Sequence, residues 1–119
     1  MSYKYKNISG DTAEELLGPL DIPYNKSLKT INICNTHASD AIEVDLYLQD
    51  TKRNTSSPTD WDKPADSVYT YYIIKKYEIA NGKYLTLTSD LLKYDYNIYE
   101  LIIKLGASAS KADLIINIS

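Results

Sequence analysis

The segment Ile42-Glu43-Val44-Asp45-Leu46-Tyr47-Leu48-Gln49 constrains the fold of this chain more than any other. On an extended backbone Ile42, Val44, Leu46 and Leu48 face one way, and Glu43, Asp45, Tyr47 and Gln49 face the other. Side chains of a strand alternate between faces, so this pattern gives one buried and one wet face, as in an antiparallel sheet. Helical spacing would scatter the acids around the buried stripe. A sheet with one apolar face needs a second layer to cover it.

The same reading extends along the chain. Residues 4–9 form a first strand. Residues 28–35 form another, with Ile31 and Ile33 inward and a phase break after Leu28 that suggests a bulge. Residues 68–79 are Tyr-rich and bend near Lys75-Lys76. Residues 84–88 turn Leu85 and Leu87 inward, residues 98–105 bury Tyr99, Leu101, Ile103 and Leu105, and residues 112–118 bury Leu114, Ile116 and Ile118. Between Thr12 and Leu17 the pattern favours a strand or short turn, with a Thr12/Glu15 capping box as the helical alternative. Asn81-Gly82 signals a hairpin, because both residues tolerate positive φ. Residues 37–40 and 106–110 are short connections, and Pro19 and Pro23 bracket an irregular stretch. Seven or eight short antiparallel strands in 119 residues predict one all-β domain over 1–119. The expected architecture is a two-sheet β-sandwich, either jelly-roll or Ig-like.

Composition removes several functions. The formal net charge is −3 and no basic stripe exists, so nucleic acid is not an expected partner. No apolar run approaches membrane-spanning length, and the first residues lack the apolar core of a secretory signal. One cysteine, Cys34, excludes an internal disulfide and suits synthesis in a reducing cytoplasm. There are 12 tyrosines and no phenylalanine. A tyrosine pairs an apolar ring with a hydroxyl that seeks a partner, which suits half-buried faces and contact surfaces.

Catalytic machinery is sparse. His37 is the sole histidine, and it sits in a turn. Cys34 precedes it by three residues and reads as a small core cysteine rather than half of a dyad. Asp60, Asp62 and Asp66 surround Trp61, but they lack the Gly and terminal Glu of a calcium loop. The four glycines are isolated and make no phosphate cradle. No enzyme activity, metal or cofactor is expected. The long loop over 50–67 carries Trp61, the only tryptophan, either as a lid over the sandwich end or as a contact residue. Trp61 with Asp60 and Asp62, and the outward tyrosines Tyr47, Tyr71 and Tyr84, are the candidate contact residues.

Ile31-Asn32-Ile33-Cys34-Asn35-Thr36-His37, followed by Ser39-Asp40-Ala41 and Val44-Asp45-Leu46-Tyr47-Leu48, resembles small virion structural proteins of tailed bacteriophages, particularly marine ones. Tyr71-Tyr72-Ile73-Ile74-Lys75, Glu78-Ile79, Gly82, Leu85 and the run from Tyr99 to Lys104 are similar as well. That family usually has a shorter connection where this chain carries 50–67. The resemblance implies a β-sandwich carried in many copies on a virion and bound to the major capsid protein or other virion proteins. It implies decoration or cementing of the head first, and an accessory place at the neck or tail second. A carbohydrate-binding or host-adhesion module using Trp61 and the outward tyrosines is the alternative from the residues alone.

Overall fold

The computed structural model describes residues 2–50 and 69–119, which form eight strands and, among the described residues, no helix. In chain order these are β1 (Ser2–Ser9), β2 (Glu14–Leu17), β3 (Leu28–Asn35), β4 (Ile42–Asp50), β5 (Thr70–Ile79), β6 (Tyr84–Thr88), β7 (Tyr99–Leu105) and β8 (Lys111–Ile118). One four-stranded sheet has the order β1-β8-β3-β6 and the other β2-β7-β4-β5, with antiparallel pairing throughout. The pairs nest: β4 with β5, β3 with β6, β2 with β7 and β1 with β8. A ribbon of nested pairs rolled until β3 meets β8 and β4 meets β7 is a jelly roll, and the Ig-like option is set aside.

Alternation in the sequence builds the core directly. Ile31, Ile33, Leu87, Leu114 and Ile116 from one sheet meet Val44, Leu46, Leu101, Ile103 and Leu105 from the other, none more than 3% exposed. Each such side chain contributes about 1.5–3 kcal/mol of transfer free energy. The expected irregularities occur where the phase breaks. The β3–β8 register shifts between Leu28 and Thr30. The β4–β5 register shifts between Val44 and Leu46, opposite Lys75-Lys76. There Lys76 takes a φ of 52°, and its N–H donates to Asp45 Oδ1 at 2.7 Å.

The Asn81-Gly82 expectation needs correction. The turn is present, with Gly82 at φ 73° and the Lys83 N–H donating to the Ala80 carbonyl at 3.0 Å. Yet β5 and β6 lie in different sheets, so the turn carries the chain across the sandwich end instead of closing a hairpin. A two-residue type I′ hairpin turn needs positive φ at both residues, and only Gly82 has it. The Asn81 side chain instead donates to the His37 carbonyl at 2.7 Å.

The connections divide between the two ends. Gly10 N–H bonds the Ser110 carbonyl, and Asn35 N–H bonds the Lys83 carbonyl, so the short links gather at one end. At the other end Leu20 N–H bonds the Tyr96 carbonyl, and Ser27 exchanges bonds with Ser119. There Leu92 and Ile22 are buried, and Tyr94 and Tyr96 pack on the core in a T-shaped pair 4.7 Å apart. Tyr96 Oη accepts from the Leu28 N–H at 3.2 Å and donates to the Leu92 carbonyl at 3.3 Å. Burial drives the Tyr94 phenol upward from its ordinary pKa, assisted by Tyr96 and Asp21.

Three of the four sheet edges, β1, β2 and β5, carry features that discourage pairing with other chains. In β1, Lys4 and Lys6 stand opposite Ile116 and Leu114 on the core-facing side, yet both are exposed. Inward-pointing charge on an edge strand discourages strand addition. At the other sheet's edges, β2 is short and bulged, and β5 is bulged.

Candidate interaction surfaces

Register fixes what each sheet shows to solvent, because residues directly opposite across a ladder share a face. On the outer face of β1-β8-β3-β6 three rows run across all four strands. They are Tyr3–Asn117–Thr30–Thr88, Tyr5–Ile115–Asn32–Thr86 and Asn7–Asp113–Cys34–Tyr84. Only Asp113 among these twelve is charged, in a chain that is 24% charged, and Asn7 Nδ2 donates to its Oδ1 at 2.7 Å. Thr86 Oγ1 donates to Asn32 Oδ1 at 2.7 Å, cross-linking the second row. Tyr3 and Tyr5 stack with centroids 6.5 Å apart, and Tyr5 (71%) and Tyr84 (69%) are largely exposed. Ile115 stands in the middle of the sheet and is 42% exposed. Depletion of charge with enrichment of tyrosine is the composition of an interface core.

The opposite outer face differs. There β7 presents Glu100, Ile102 and Lys104 beside Gln49, Tyr47 and Asp45 of β4, with Glu15 of β2 opposite Ile102. Lys75 Nζ lies 4.8 Å from the Tyr72 ring centroid. Glu100 is pushed up to about 7, first by desolvation, then by its hydrogen bond with Glu15 and the charge of that carboxyl. A protonated Glu100 donates to Glu15. The unfolded chain releases this proton near the ordinary value of 4.5 and the folded chain near 7. The contribution of this pair to stability is therefore greatest below 4.5, falls as pH rises between these values, and levels off above 7. Glu100→Gln is expected to remove this slope, raising Tm relative to the parent at pH 8 and little at pH 4.5; thermal melts at the two pH values check it.

The candidate residues do not converge on one site. Tyr84 is outward and exposed, as expected. Tyr47 is outward by phase but only 7% exposed, because Tyr72 leans over it at 5.2 Å and Ile102 lies opposite. Burial raises the Tyr47 phenol pKa, with Tyr72, Asp45 and Glu100 adding to it. Tyr71 stands opposite Leu48 on the core-facing side, since an extra residue at Ile73 flips the phase of β5. It remains 52% exposed and meets Tyr99 edge-on at 5.8 Å. Trp61, Asp60 and Asp62, with Asp66, lie outside the described residues.

Cys34 is half-buried on the outer face, level with Asp113 and Tyr84, and is not the core residue expected. His37 is a turn residue: its Nδ1 accepts from the Ser39 and Asp40 N–H groups, both at 3.0 Å. Beside it the buried Asn35 makes three bonds. Its Nδ2 donates to the Asp40 carbonyl at 2.9 Å and the Ile79 carbonyl at 3.0 Å, and its Oδ1 accepts from the His37 N–H at 2.8 Å. Asn35 thus ties the β3–β4 turn to the end of β5. The Asn35-Thr36-His37 pattern has a structural reason that requires no chemistry of a site.

Sequence reasoning passed over the charge-poor face. Its signal was present in the outward positions of two strands, Thr30-Asn32-Cys34 and Tyr84-Thr86-Thr88, neither with a charge. The Glu15–Glu100 pair left no such signal, because the residues meet only through the β2–β7 pairing. Among the described residues no group of histidine, cysteine and carboxylates is placed to hold a metal ion, and no helix is long and apolar enough to cross a membrane. Comparison with protein-family models gives no match, and neither does comparison with curated proteins.

Proposed function

We propose that this chain is a non-enzymatic structural protein of a virus particle, docking on other virion proteins through the outer face of β1-β8-β3-β6. Its first place is decoration or cementing of the head on the major capsid protein, with the neck or tail second. The observation that carries the reading is the contrast between the two outer faces. One is charged and suited to water. The other offers three tyrosines, an isoleucine and a ladder of Asn and Thr, with Asp113 held by Asn7 and Lys111 at the end of β8 as its charges. With the β1, β2 and β5 edges guarded, contact falls mainly to faces and loops, and a rigid face loses little ordering entropy on docking. Repetition over a symmetric shell then multiplies modest contacts into avidity. The jelly roll is used by viral capsid proteins and by lectins, which agrees with the reading without deciding it.

Quantitative mass spectrometry of density-purified particles from the virus or host that encodes the chain tests this. A copy number comparable to that of the shell subunit supports head decoration, and a handful supports the neck or tail. Absence from particles overturns the reading and brings the carbohydrate-binding alternative forward. Ile115→Lys places an uncompensated charge in the centre of the docking face. It is expected to lower occupancy at least about tenfold while leaving the fold intact.

A further inference from the structure

The β2–β3 connection projects apolar side chains at a conformational cost. Gly18, Pro19, Leu20 and Asp21 form a turn in which the Asp21 N–H donates to the Gly18 carbonyl at 3.2 Å, and Asp21 Oδ2 accepts from the Gly18 N–H at 2.6 Å. Pro19 presets φ at the first central position. Leu20 occupies the second with φ 71°, the left-handed value that type II turns reserve for Gly or Asn. A side chain with a Cβ is disfavoured there, because the Cβ crowds the following carbonyl oxygen. Leu20 nevertheless stands 67% exposed, so burial does not offset the strain.

A second turn follows at once, closed by the Lys26 N–H on the Pro23 carbonyl at 2.9 Å, with Tyr24 fully exposed on it. Between the two turns Ile22 is 4% exposed, and the Leu20 N–H is held by the Tyr96 carbonyl. The irregular stretch that Pro19 and Pro23 bracket is therefore pinned to the core. Two apolar tips are carried on a rigid mount.

The surroundings select what covers them. The position a Cβ of Gly18 would take lies 3.1 Å from Glu15 Oε1 and 3.5 Å from Asp21 Oδ2. Glu15 in turn is hydrogen-bonded to Glu100. Among the described residues no lysine or arginine pairs with these three carboxyl groups. Such a rim repels an anionic lipid surface and attracts a basic one.

We propose that Leu20, with Tyr24 beside it in sequence, is a preformed anchor that inserts into an apolar pocket rimmed by lysine or arginine on a partner protein. The anchor lies at the long-connection end of the sandwich, apart from the charge-poor face, and gives the chain a second contact. It rests on the virion reading for the identity of the assembly, but not for its geometry.

Leu20→Asn separates anchor from scaffold, because Asn tolerates left-handed φ. The purified variant is expected to melt at or above the parent temperature. Its occupancy on particles is expected to fall at least about tenfold, while Leu20→Met retains occupancy. Glu15→Gln with Asp21→Asn is expected to lower occupancy several-fold and flatten its dependence on salt. Leu20→Asn occupancy equal to that of the parent would overturn the anchor while leaving the virion reading standing. Sedimentation of the chain with phosphatidylcholine–phosphatidylglycerol vesicles would also overturn it, in favour of a membrane contact. Absence of the parent chain from particles would remove both proposals.

Discussion

Leu46→Ala is expected to cost about 3–5 kcal/mol of unfolding free energy, a large share of the roughly 5–15 kcal/mol that keeps a domain folded. Leu46 is wholly buried in β4, opposite Ile74 of β5 and Ile103 of β7. It therefore sits where the innermost nested pair, β4 with β5, lies against β7 of the β2–β7 pair. Removing its side chain forfeits the transfer term and opens a cavity that two neighbouring strands hold apart. Relaxation is limited because β4 is an interior strand, hydrogen-bonded on both sides. Leu91→Ala is the control: Leu91 is 53% exposed, and its truncation is expected to change stability by under about 0.5 kcal/mol. Urea unfolding of the three chains, with m-values compared, reads the difference.

Asn35→Ala is expected to cost about 2–4 kcal/mol, as much as a core truncation though Asn35 adds little apolar area. The substitution strips partners from the His37 N–H and from the Asp40 and Ile79 carbonyls at once. Asn35→Asp is the sharper test. It retains an acceptor for the His37 N–H but turns a carboxylate oxygen toward two carbonyls where an NH₂ had donated. It is expected to be worse than Ala at pH 7, with part of the loss recovered at acid pH as the carboxyl protonates. Equal stability of the Ala and Asp variants would mean that the turn is held by its other contacts, such as Asn81 on the His37 carbonyl.

Much of the fold was legible because alternation is local. Seven strands fall within two residues of the expected bounds at their described ends, and β2 takes the strand option of an ambiguous segment. The bulge after Leu28 and the bend at Lys75-Lys76 were also legible, since each interrupts an alternating phase. Pairing was less legible. Asn81-Gly82 reads locally as a hairpin, yet Ile79 and Leu87 must enter the core from opposite sheets, and the tertiary winding prevails. The same limit applies to the tyrosines. Phase alone put Tyr47, Tyr71 and Tyr84 outward. The extra residue at Ile73 and the cover from Tyr72 redirected or buried two of them. A surface made of rows across four strands becomes visible only when the strand order is known.

Hydroxyl-radical footprinting of the free chain against the particle-bound chain tests most directly the claim that one sheet face is the docking face. Tyr5, Ile115 and Tyr84 are expected to become protected on the particle while Tyr72 and Tyr77 stay as reactive as in the free chain. Protection of Tyr72 and Tyr77 with Tyr5 and Tyr84 unchanged would place the contact on the wrong sheet and contradict it.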